Sequence, residues 1–316
     1  MGHEQRVIYS VIVRRILLVA NPASSGFTGA LYRDVVKILE NKFSVSPIWP
    51  INASEAKERA IEAAADGCDI VVAMGGDGVI HHIANGLVGT QTALGIIPSG
   101  TANVLARIHG LPRDPRAAAQ ALSDARPVST RVVKIEITNG QESATEYVTF
   151  SLGVGFDADV VKVAERSPHS KLNFGSLHFA KSAISRVYGP YRDRDPDIDV
   201  EIDGTHFGTV GSFVQVHNLY TYFGRIAIRL APSALDGPVV LTASRLDPSI
   251  ALKIIARLMV QRDPTVLPGI AIKQGFNQIK ISASKPIPVQ ADGEHLGEIL
   301  AMNVTPIEDA LIALRN

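Results

Sequence analysis

Three short segments carry residue types that suit phosphate binding. Their sequences are Asn21-Pro22-Ala23-Ser24-Ser25-Gly26, Gly75-Gly76-Asp77-Gly78 and Ser99-Gly100-Thr101-Ala102-Asn103. Because glycine has no side chain and tolerates positive φ, backbone amides in such loops can approach an anion closely. One Gly-Gly-Asp-Gly segment alone is equally consistent with a tight turn that binds nothing. Three loops together favour a phosphate site, to which Ser99 and Thr101 add two hydroxyl groups.

Asp77 lies inside the second loop and has two interpretations. Its carboxylate could cap the helix predicted to begin at Val79, since aspartate accepts hydrogen bonds from free amides at a helix start. It could also orient phosphate oxygens and Mg²⁺, which prefers oxygen ligands. The two roles are compatible, and both stay open at this point.

The three loops follow predicted strands of one parallel sheet. Residues 16–20, 70–74 and 94–97 are near-continuous apolar runs, which are typical of strands buried on both faces. Each loop leads into a helical pattern, so residues 15–111 indicate repeated βα units. Ligands bind open α/β sheets at the carboxyl ends of the strands. We therefore expect the three loops to share one edge of the sheet.

The second half of the chain has a different pattern. Strand-like runs bounded by Gly, Pro, Asn and Asp occupy positions 132–137, 147–154, 198–202, 209–216, 239–243, 279–283 and 288–291. They predict a larger β-sandwich-like domain, with helices near 177–188 and 249–260. The predicted division is an α/β domain at 1–128, a β-rich domain at 129–305 and a C-terminal segment at 306–316 that returns to the first domain.

Composition narrows the classes of partner. Lys and Arg total 31 of the 316 residues and Asp and Glu also total 31, so no net charge attracts the chain to nucleic acid. The apolar stretches fall short of the roughly 20 residues that span a bilayer, and the N-terminus resembles no secretory signal. The single cysteine, Cys68, is interpreted as a packing residue, which fits a reducing compartment. We expect a soluble, cytoplasmic protein.

Motifs in a fixed order resemble the diacylglycerol, sphingosine and ceramide kinase family. They are Asn21-Pro22 with Ser25-Gly26, GGDGVIHHIANGL at 75–87, LGIIPSGTANVLAR at 94–107, SLGVGFDA at 151–158, APSALDG at 231–237 and PVQADGE at 288–294. The resemblance covers roughly residues 15–305 and is strongest to the soluble bacterial lipid kinases. The GxxxxGK[ST] loop and the protein-kinase motif set are both absent, so the nucleotide site belongs to neither of those types.

The resemblance implies a doubly wound, mostly parallel sheet of the kind found in NAD kinases and diacylglycerol kinases. It also implies an ATP- and Mg²⁺-dependent lipid kinase. The nucleotide-binding residues carried over from the family motifs are Asn21, Gly75, Gly76, Asp77, Gly78, Val79, Ser99, Gly100, Thr101 and Asn103.

The same resemblance implies that Asp292 is the general base, with Glu294 as a second catalytic carboxylate. Phosphorylating an alcohol needs a carboxylate within hydrogen-bond reach of the hydroxyl group. Asp292-Gly293 between two apolar runs is also what an ordinary hairpin turn looks like. The order of the motifs favours the catalytic role.

Several positions depart from the family pattern. Val79, His81 and His82 stand where the family commonly has Thr, Asn and Glu, so a hydroxyl and a carboxylate near the phosphates are lost. We interpret the two histidines as solvated or hydrogen-bonded. A metal site is predicted at Asp236, where one aspartate precedes Gly237 and the bacterial pattern often has two.

The lipid-binding region is less clear from sequence. Residues 171–188 mix apolar and basic side chains, which suits either a membrane-surface element or a core-packing helix. Tyr220, Tyr222 and Phe223 could line an acyl-chain cleft or pack between strands. We expect a lipid substrate at the membrane surface with peripheral membrane contact, and a homodimer stays open.

Three hypotheses for function remain. The first is a lipid kinase that transfers the ATP γ-phosphate to a lipid hydroxyl of a diacylglycerol-like or sphingoid lipid. The second is a small-molecule kinase similar to NAD kinase. The third is a non-catalytic nucleotide- or lipid-binding regulator, which is motivated by Val79, His82 and the single aspartate before Gly237.

Overall fold

The computed structural model describes residues 14–139, 142–165, 185, 189–192, 194–232 and 237–316. Its first part is an α/β region with a parallel sheet. The strands are β1 (Arg15–Ala20), β2 (Ser44–Ile48), β3 (Ile70–Gly75) and β4 (Ala93–Pro98), and the helices are α1 (Gly29–Glu40), α2 (Ala53–Ala65), α3 (Asp77–Leu87), α4 (Val104–Ile108) and α5 (Pro115–Leu122). The strands pair in the order β2-β1-β3-β4. Every residue of β3 and β4 is buried, as their apolar runs predict.

The rest of the chain is mostly antiparallel sheet. Its strands are β5 (Arg126–Asn139), β6 (Glu142–Val148), β7 (Ser151–Gly155), β8 (Ile198–Ile202), β9 (Thr205–Thr209), β10 (Gly211–Gln215), β11 (Thr221–Phe223), β12 (Ile226–Ile228), β13 (Val239–Ala243), β14 (Ile270–Gln274), β15 (Ile279–Ala291) and β16 (Glu294–Arg315). Two helices accompany them, α6 (Phe156–Glu165) and α7 (Pro248–Met259), with a short 3₁₀ turn at Pro264–Val266. The predicted fold class, a parallel α/β region followed by a β-rich region, is confirmed.

One sheet runs through both regions, which the sequence did not predict. The 22-residue strand β16 pairs antiparallel with β15 and β5, and near its end Ala313 pairs parallel with Leu94 of β4. Positions 128 and 305 lie within β5 and β16, so the proposed division falls inside two long, paired strands. The sheet thereby fixes the strand ends of the α/β region relative to the β15–β16 hairpin.

Two local features of the antiparallel region differ from regular strands. The run at 147–154 is split, because β6 ends at Val148 and β7 begins at Ser151. Asp292 and Gly293 connect β15 to β16 with φ of 53° and 85°, and Ala291 pairs directly with Glu294. Two residues of positive φ between paired strands are a tight hairpin turn. Both features lie at the site described below.

Within the described residues, no helix combines the length and the apolar character needed to cross a bilayer.

Candidate active site

The loops after β1, β3 and β4 meet at one edge of the sheet. Gly26 N donates to Ser99 O at 2.8 Å, and Ser99 N donates to Gly75 O at 2.9 Å. The hydroxyl oxygens of Ser25 and Thr101 lie 3.3 Å apart. We call this surface the glycine wall, defined as residues 21–26, 75–78 and 99–103. The parallel sheet brings together three loops, of which the first and the third are more than 70 residues apart in sequence.

The glycine wall depends on missing side chains. A methyl group added at Gly100 would overlap the Cα atom of Gly76, while one added at Gly76 would lie 3.4 Å from the Cα atom of Gly100. Asn103 holds the third loop in shape, because its side chain accepts from Gly100 N at 3.0 Å and donates to Gly100 O at 2.7 Å. The loops that contain Gly76 and Gly100 therefore pack closely against each other, with no side chain at either position to cover the backbone.

Asp77 does not cap its own helix, so that interpretation is wrong. Helix α3 begins at Asp77, with Gly76 as its N-cap residue and no side-chain capping bond. Instead, Asp77 Oδ1 accepts from Val104 N at 2.7 Å and Leu105 N at 3.4 Å, at the start of α4. Burial raises the pKa of Asp77 to about 7, and the hydrogen bonds from those amides only partly oppose this. The side chain thus fixes the third loop to the second.

A cleft of about 1170 Å³ lies against the glycine wall. Nine of the twelve predicted site residues in the nucleotide and catalytic sets line it: Asn21, Gly76, Asp77, Gly78, Val79, Gly100, Thr101, Asp292 and Glu294. Gly75, Ser99 and Asn103 lie behind this surface, where Ser99 is 3% exposed and Asn103 shapes its loop. The two predicted sets of residues therefore face one cleft.

Asp292 lies across the cleft and is almost fully saturated with hydrogen-bond donors. Its Oδ2 atom accepts from His81 Nδ1 at 2.8 Å, from Thr149 N at 2.8 Å and from Thr149 Oγ1 at 2.9 Å. Its Oδ1 atom accepts from Phe150 N at 2.8 Å and Ser151 N at 3.1 Å. These amides are free because β6 and β7 are interrupted at Thr149 and Phe150. Asp292-Gly293 is thus a hairpin turn, as the alternative interpretation held, yet its carboxylate is only 1% exposed.

His81 and Asp292 form a buried pair with opposite pKa changes. Burial acts to raise the pKa of Asp292, but the hydrogen bond and charge of His81 together with the backbone amides hold it below its ordinary value. Burial acts to lower the pKa of His81, and Asp292 outweighs this and raises it. Asn85 fixes α3 beside the pair by bonding Tyr147 N at 2.7 Å and Tyr147 O at 2.8 Å. The geometry favours an ionised Asp292.

The two adjacent histidines have different surroundings. His81 is fully buried and hydrogen-bonded, which confirms the hydrogen-bonded interpretation for it and excludes a solvated one. His82 lines the cleft, and burial and the neighbouring His81 lower its pKa to about 4. His82 is therefore neutral at pH 7 where the family commonly has a carboxylate.

Two more carboxylates face the cleft near Asp292. Glu294 lies over Gly78, where an added methyl group would overlap its carboxylate. Asp157, at the start of α6, accepts through Oδ2 from Tyr220 OH at 2.6 Å and from Gln290 Nε2 at 2.7 Å. Burial raises the pKa of Asp157, and these two donors oppose the rise. We call Asp157, Asp292 and Glu294 the carboxylate wall.

An apolar cavity of about 190 Å³ adjoins the cleft. Residues that line both spaces are Tyr220, Thr221, Ile228, Leu252, Ile255 and Leu258. Tyr222 and Phe223 line the cleft, so the interpretation of this segment as part of a cleft is the one that the geometry supports. The combined space has a polar end at the two walls and an apolar end beneath α7.

Several residues of the cleft were not predicted from sequence. Arg107 and Arg113 line it, and the Arg107 guanidinium lies 3.0 Å from the centre of the Tyr222 ring. The two arginines add positive charge to the cleft, and their planar guanidinium groups are suited to pair with carboxylate or phosphate groups. The proposed metal ligand Asp236 and the segment 171–188, apart from Ser185, lie outside the described residues. Among the described residues, no group of three or more His, Cys, Asp or Glu side chains has the arrangement of a metal site.

The chain is similar to known proteins over most of its length. The chain is 27% identical over 289 residues to "Diacylglycerol kinase" of Mycobacterium tuberculosis, covering 89% of this chain and 86% of that protein. A solved structure described as a diacylglycerol kinase from Bacillus anthracis str. Sterne superimposes with a TM-score of 0.67 at 17% identity, covering 96% of this chain and 97% of that one. Yeast NADH kinase complexed with NADH gives a TM-score of 0.51 at 13% identity, covering 96% of this chain and 84% of that one. The two structures show a shared fold.

A family model covers the part of the chain that contains the glycine wall. Residues 15–135, which carry all three glycine-wall loops, match the model described as "Diacylglycerol kinase catalytic domain". With the ordered motifs and the two-walled cleft, this match shows that residues 15–135 are similar to the diacylglycerol kinase catalytic domain.

Proposed function

We propose that this protein transfers the γ-phosphate of ATP to a hydroxyl group of a lipid. The observation that carries the proposal is the continuity of the cleft, whose polar end lies between the two walls and whose apolar end is the cavity beneath α7. A lipid acceptor needs both ends of this space. Its acyl chain is stabilised where it buries apolar surface, and its hydroxyl group must reach the polar end, where the phosphate is transferred. The predicted nucleotide site and the acceptor site then share one space.

The glycine wall is the proposed site of the ATP phosphates. Gly76, Gly78 and Gly100 leave backbone amides accessible, and Thr101 adds a hydroxyl group. Arg107 and Arg113 would offset part of the phosphate charge from the same cleft. Phosphoryl transfer depends mainly on such positioning and charge compensation.

Asp292 is the proposed general base. The acceptor oxygen forms a bond to the γ-phosphorus, the bond from that phosphorus to the bridging oxygen of ADP breaks, and the hydroxyl proton passes to the carboxylate. Asp292 already accepts five hydrogen bonds, so one donor must leave before it can accept this proton. The Thr149 hydroxyl is the donor that can rotate without moving the backbone. Glu294, beside Gly78, is the second candidate.

Mg²⁺ is proposed as part of the ATP substrate. Asp77 and Glu294 are oxygen donors in the cleft, which fits an ion that takes one or two carboxylates together with phosphate oxygens. Bound there, the ion would neutralise charge on the transferred phosphate. The additional metal site proposed at Asp236 rests on the family resemblance alone.

The acceptor is proposed to come from a membrane surface through peripheral contact. Leu252 and Ile255 of α7 are 53% and 44% exposed and line both the cleft and the apolar cavity. An exposed apolar helix face at a lipid-binding cavity suits contact with a bilayer. The homodimer and the cytoplasmic location stay predictions.

Radiolabelled ATP tests the proposal against the two alternatives. Purified protein is incubated with [γ-³²P]ATP and, in separate reactions, diacylglycerol, monoacylglycerol, ceramide, sphingosine, phosphatidylglycerol or NAD, and the products are identified. We expect label in a lipid product. Label in NADP would support the NAD-kinase-like alternative, and ATP binding without transfer to any acceptor would support the regulator.

A further inference from the structure

Asp157 is a carboxylate of the cleft that the proposed transfer reaction does not use. Its Oδ2 atom is held by Tyr220 OH and Gln290 Nε2 at 2.6 and 2.7 Å. The side chain folds over Gly153, where an added methyl group would overlap it. Its position is therefore fixed by contacts on three sides.

The other oxygen of Asp157 has no comparable contacts. Among the residues that the structure describes, Oδ1 accepts no hydrogen bond, and Asp157 lines the cleft. Asp157 is partly exposed at the cleft, and a carboxylate that a bound ligand covers loses free energy unless a donor replaces its hydration. A donor on a bound ligand would supply what Oδ1 lacks.

Asp157 lies between the apolar cavity and the proposed base. Its neighbours Phe156 and Tyr220 line the apolar cavity. Gln290 extends in the other direction, because its Oε1 atom accepts from Gly293 N at 2.9 Å in the turn that carries Asp292. We consider a lipid whose acyl chain lies in the apolar cavity and whose reacting hydroxyl group lies at Asp292. The atoms between its acyl chain and that hydroxyl group then lie beside Asp157.

We propose that Asp157 selects acceptor lipids with a free hydroxyl or amino group beside the hydroxyl that is phosphorylated. The inference rests on the proposed lipid kinase function. An ionised carboxylate only accepts hydrogen bonds, so it pairs with a hydroxyl or ammonium group and repels the oxygens of an ester. Monoacylglycerols and sphingoid bases have such a donor, whereas 1,2-diacylglycerol has an ester at that position.

The first experiment uses the wild-type protein and four acceptors in the same detergent micelles. They are 1-monoacylglycerol, 1-acyl-2-O-methylglycerol, 1,2-diacylglycerol and a sphingoid base. We expect kcat/KM for monoacylglycerol to exceed that for the methyl ether by about 10-fold or more, since a hydrogen bond to a charged group contributes roughly 1.5–3 kcal/mol. The sphingoid base carries an amino donor in place of the hydroxyl donor of monoacylglycerol. A higher rate for the sphingoid base than for the methyl ether supports the proposal. If the methyl ether and diacylglycerol are turned over as fast as monoacylglycerol or faster, the role of Asp157 is overturned while the proposed lipid kinase function stands. If none of the lipids becomes labelled, the proposed function is overturned together with the role of Asp157.

The second experiment changes the carboxylate. In Asp157→Asn the amide can donate to an ester carbonyl, so the ratio of kcat/KM for monoacylglycerol over diacylglycerol should fall by about 10-fold or more. Asp159→Asn is the matched control, because Asp159 lies on the same helix and accepts from Tyr191 OH at 3.0 Å away from the cleft lining. A general loss of stability would not change this ratio. An unchanged ratio in folded Asp157→Asn contradicts the proposal, and if that variant does not fold, the methyl ether comparison decides.

Discussion

The two walls of the cleft differ in the groups that form their surfaces, which are backbone in the glycine wall and charged side chains in the carboxylate wall. The glycine wall is a surface of backbone, and its shape depends on the side chains that Gly76 and Gly100 lack. The carboxylate wall consists of charged side chains, of which Asp292 is buried and is stable there because five donors surround it. Substitutions in the glycine wall should therefore act by steric overlap with the ligand or with the neighbouring loop. Substitutions in the carboxylate wall should act by changing charge and hydrogen bonding.

The carboxylate wall contains a similar contrast. Asp292 has five hydrogen-bond donors and a lowered pKa, whereas Asp157 has two donors on one oxygen and a raised pKa. Burial acts to raise the pKa of both carboxyl groups, and only at Asp292 do the hydrogen bonds, together with the charge of His81, outweigh it. A carboxylate with unused capacity is suited to binding, while one that is saturated must release a donor before it can react.

The largest effect is expected at the proposed base. Asp292→Asn removes the basicity, and turnover should fall by about 10² to 10⁴ while ATP affinity stays nearly constant. The variant should also lose about 1–3 kcal/mol of stability, because its amide nitrogen would face donors that now meet a carboxylate oxygen. Single-turnover phosphate transfer, calorimetric ATP binding and chemical denaturation check the three expectations.

Glu294→Gln is the comparison for that variant. Full lipid phosphorylation by folded Asp292→Asn, together with inactive Glu294→Gln, would move the base to Glu294.

On the glycine wall the expected effect is on binding. Gly76→Val should lower ATP affinity by about 100-fold or more, because the branched side chain would occupy space meant for phosphate, while the fold is retained. Gly76→Ala should have a smaller effect, since its methyl group would meet Gly100 Cα at an ordinary 3.4 Å. Calorimetry measures both affinities. Unchanged affinity in folded Gly76→Val would remove this loop from the nucleotide site.

His81→Asn tests the coupling between helix α3 and the carboxylate wall. His81 holds the pKa of Asp292 down through its hydrogen bond and charge, so a neutral asparagine should raise that pKa. If Asp292 must be ionised to act, the acid limb of the kcat profile should move to higher pH by about 1 unit. His82→Asn is the control from the same helix and should leave that limb in place. An unshifted limb in His81→Asn would show that the pair does not control the base.

The smallest effect concerns a buried group without partners. Neither ring nitrogen of His109 has a hydrogen-bond partner among the described residues, and burial, with Arg315 and His217 nearby, lowers its pKa to about 3. Below pH 6.5 the unfolded chain binds a proton that the folded chain does not, so stability falls as pH decreases from 6.5 towards 3. His109→Phe should remove up to about 1.4 kcal/mol per pH unit of this dependence. Denaturation series at several pH values measure the slope, and identical slopes would contradict the account.

The sequence predicted the glycine wall better than the carboxylate wall. Strands β3 and β4 and the loops after them follow from local patterns, because an apolar run followed by a glycine loop has the same meaning wherever the partner strands lie. The hairpin turn at Asp292-Gly293 was also recognisable from its residue types. Local signals sufficed for these features.

Long-range contacts could not be predicted in this way. His81 and Asp292 are 211 residues apart, and nothing in either neighbourhood indicates the other. The sequence predicted a continuous strand across Thr149 and Phe150, where the structure has a break. The residue types at these positions are the same whether their backbone amides bond a carboxylate or a neighbouring strand. The interpretation of Asp77 as a cap of its own helix failed for the same reason, because its partners Val104 N and Leu105 N belong to α4.

A crystal structure with a non-hydrolysable ATP analogue tests the central claim most directly, namely that both walls serve one reaction. We predict that the analogue's phosphates contact the backbone at Gly76 and Gly100, with the γ-phosphate facing Asp292 and Glu294 across the cleft. Nucleotide bound elsewhere, or in the cleft with its γ-phosphate directed away from the carboxylate wall, would contradict the account.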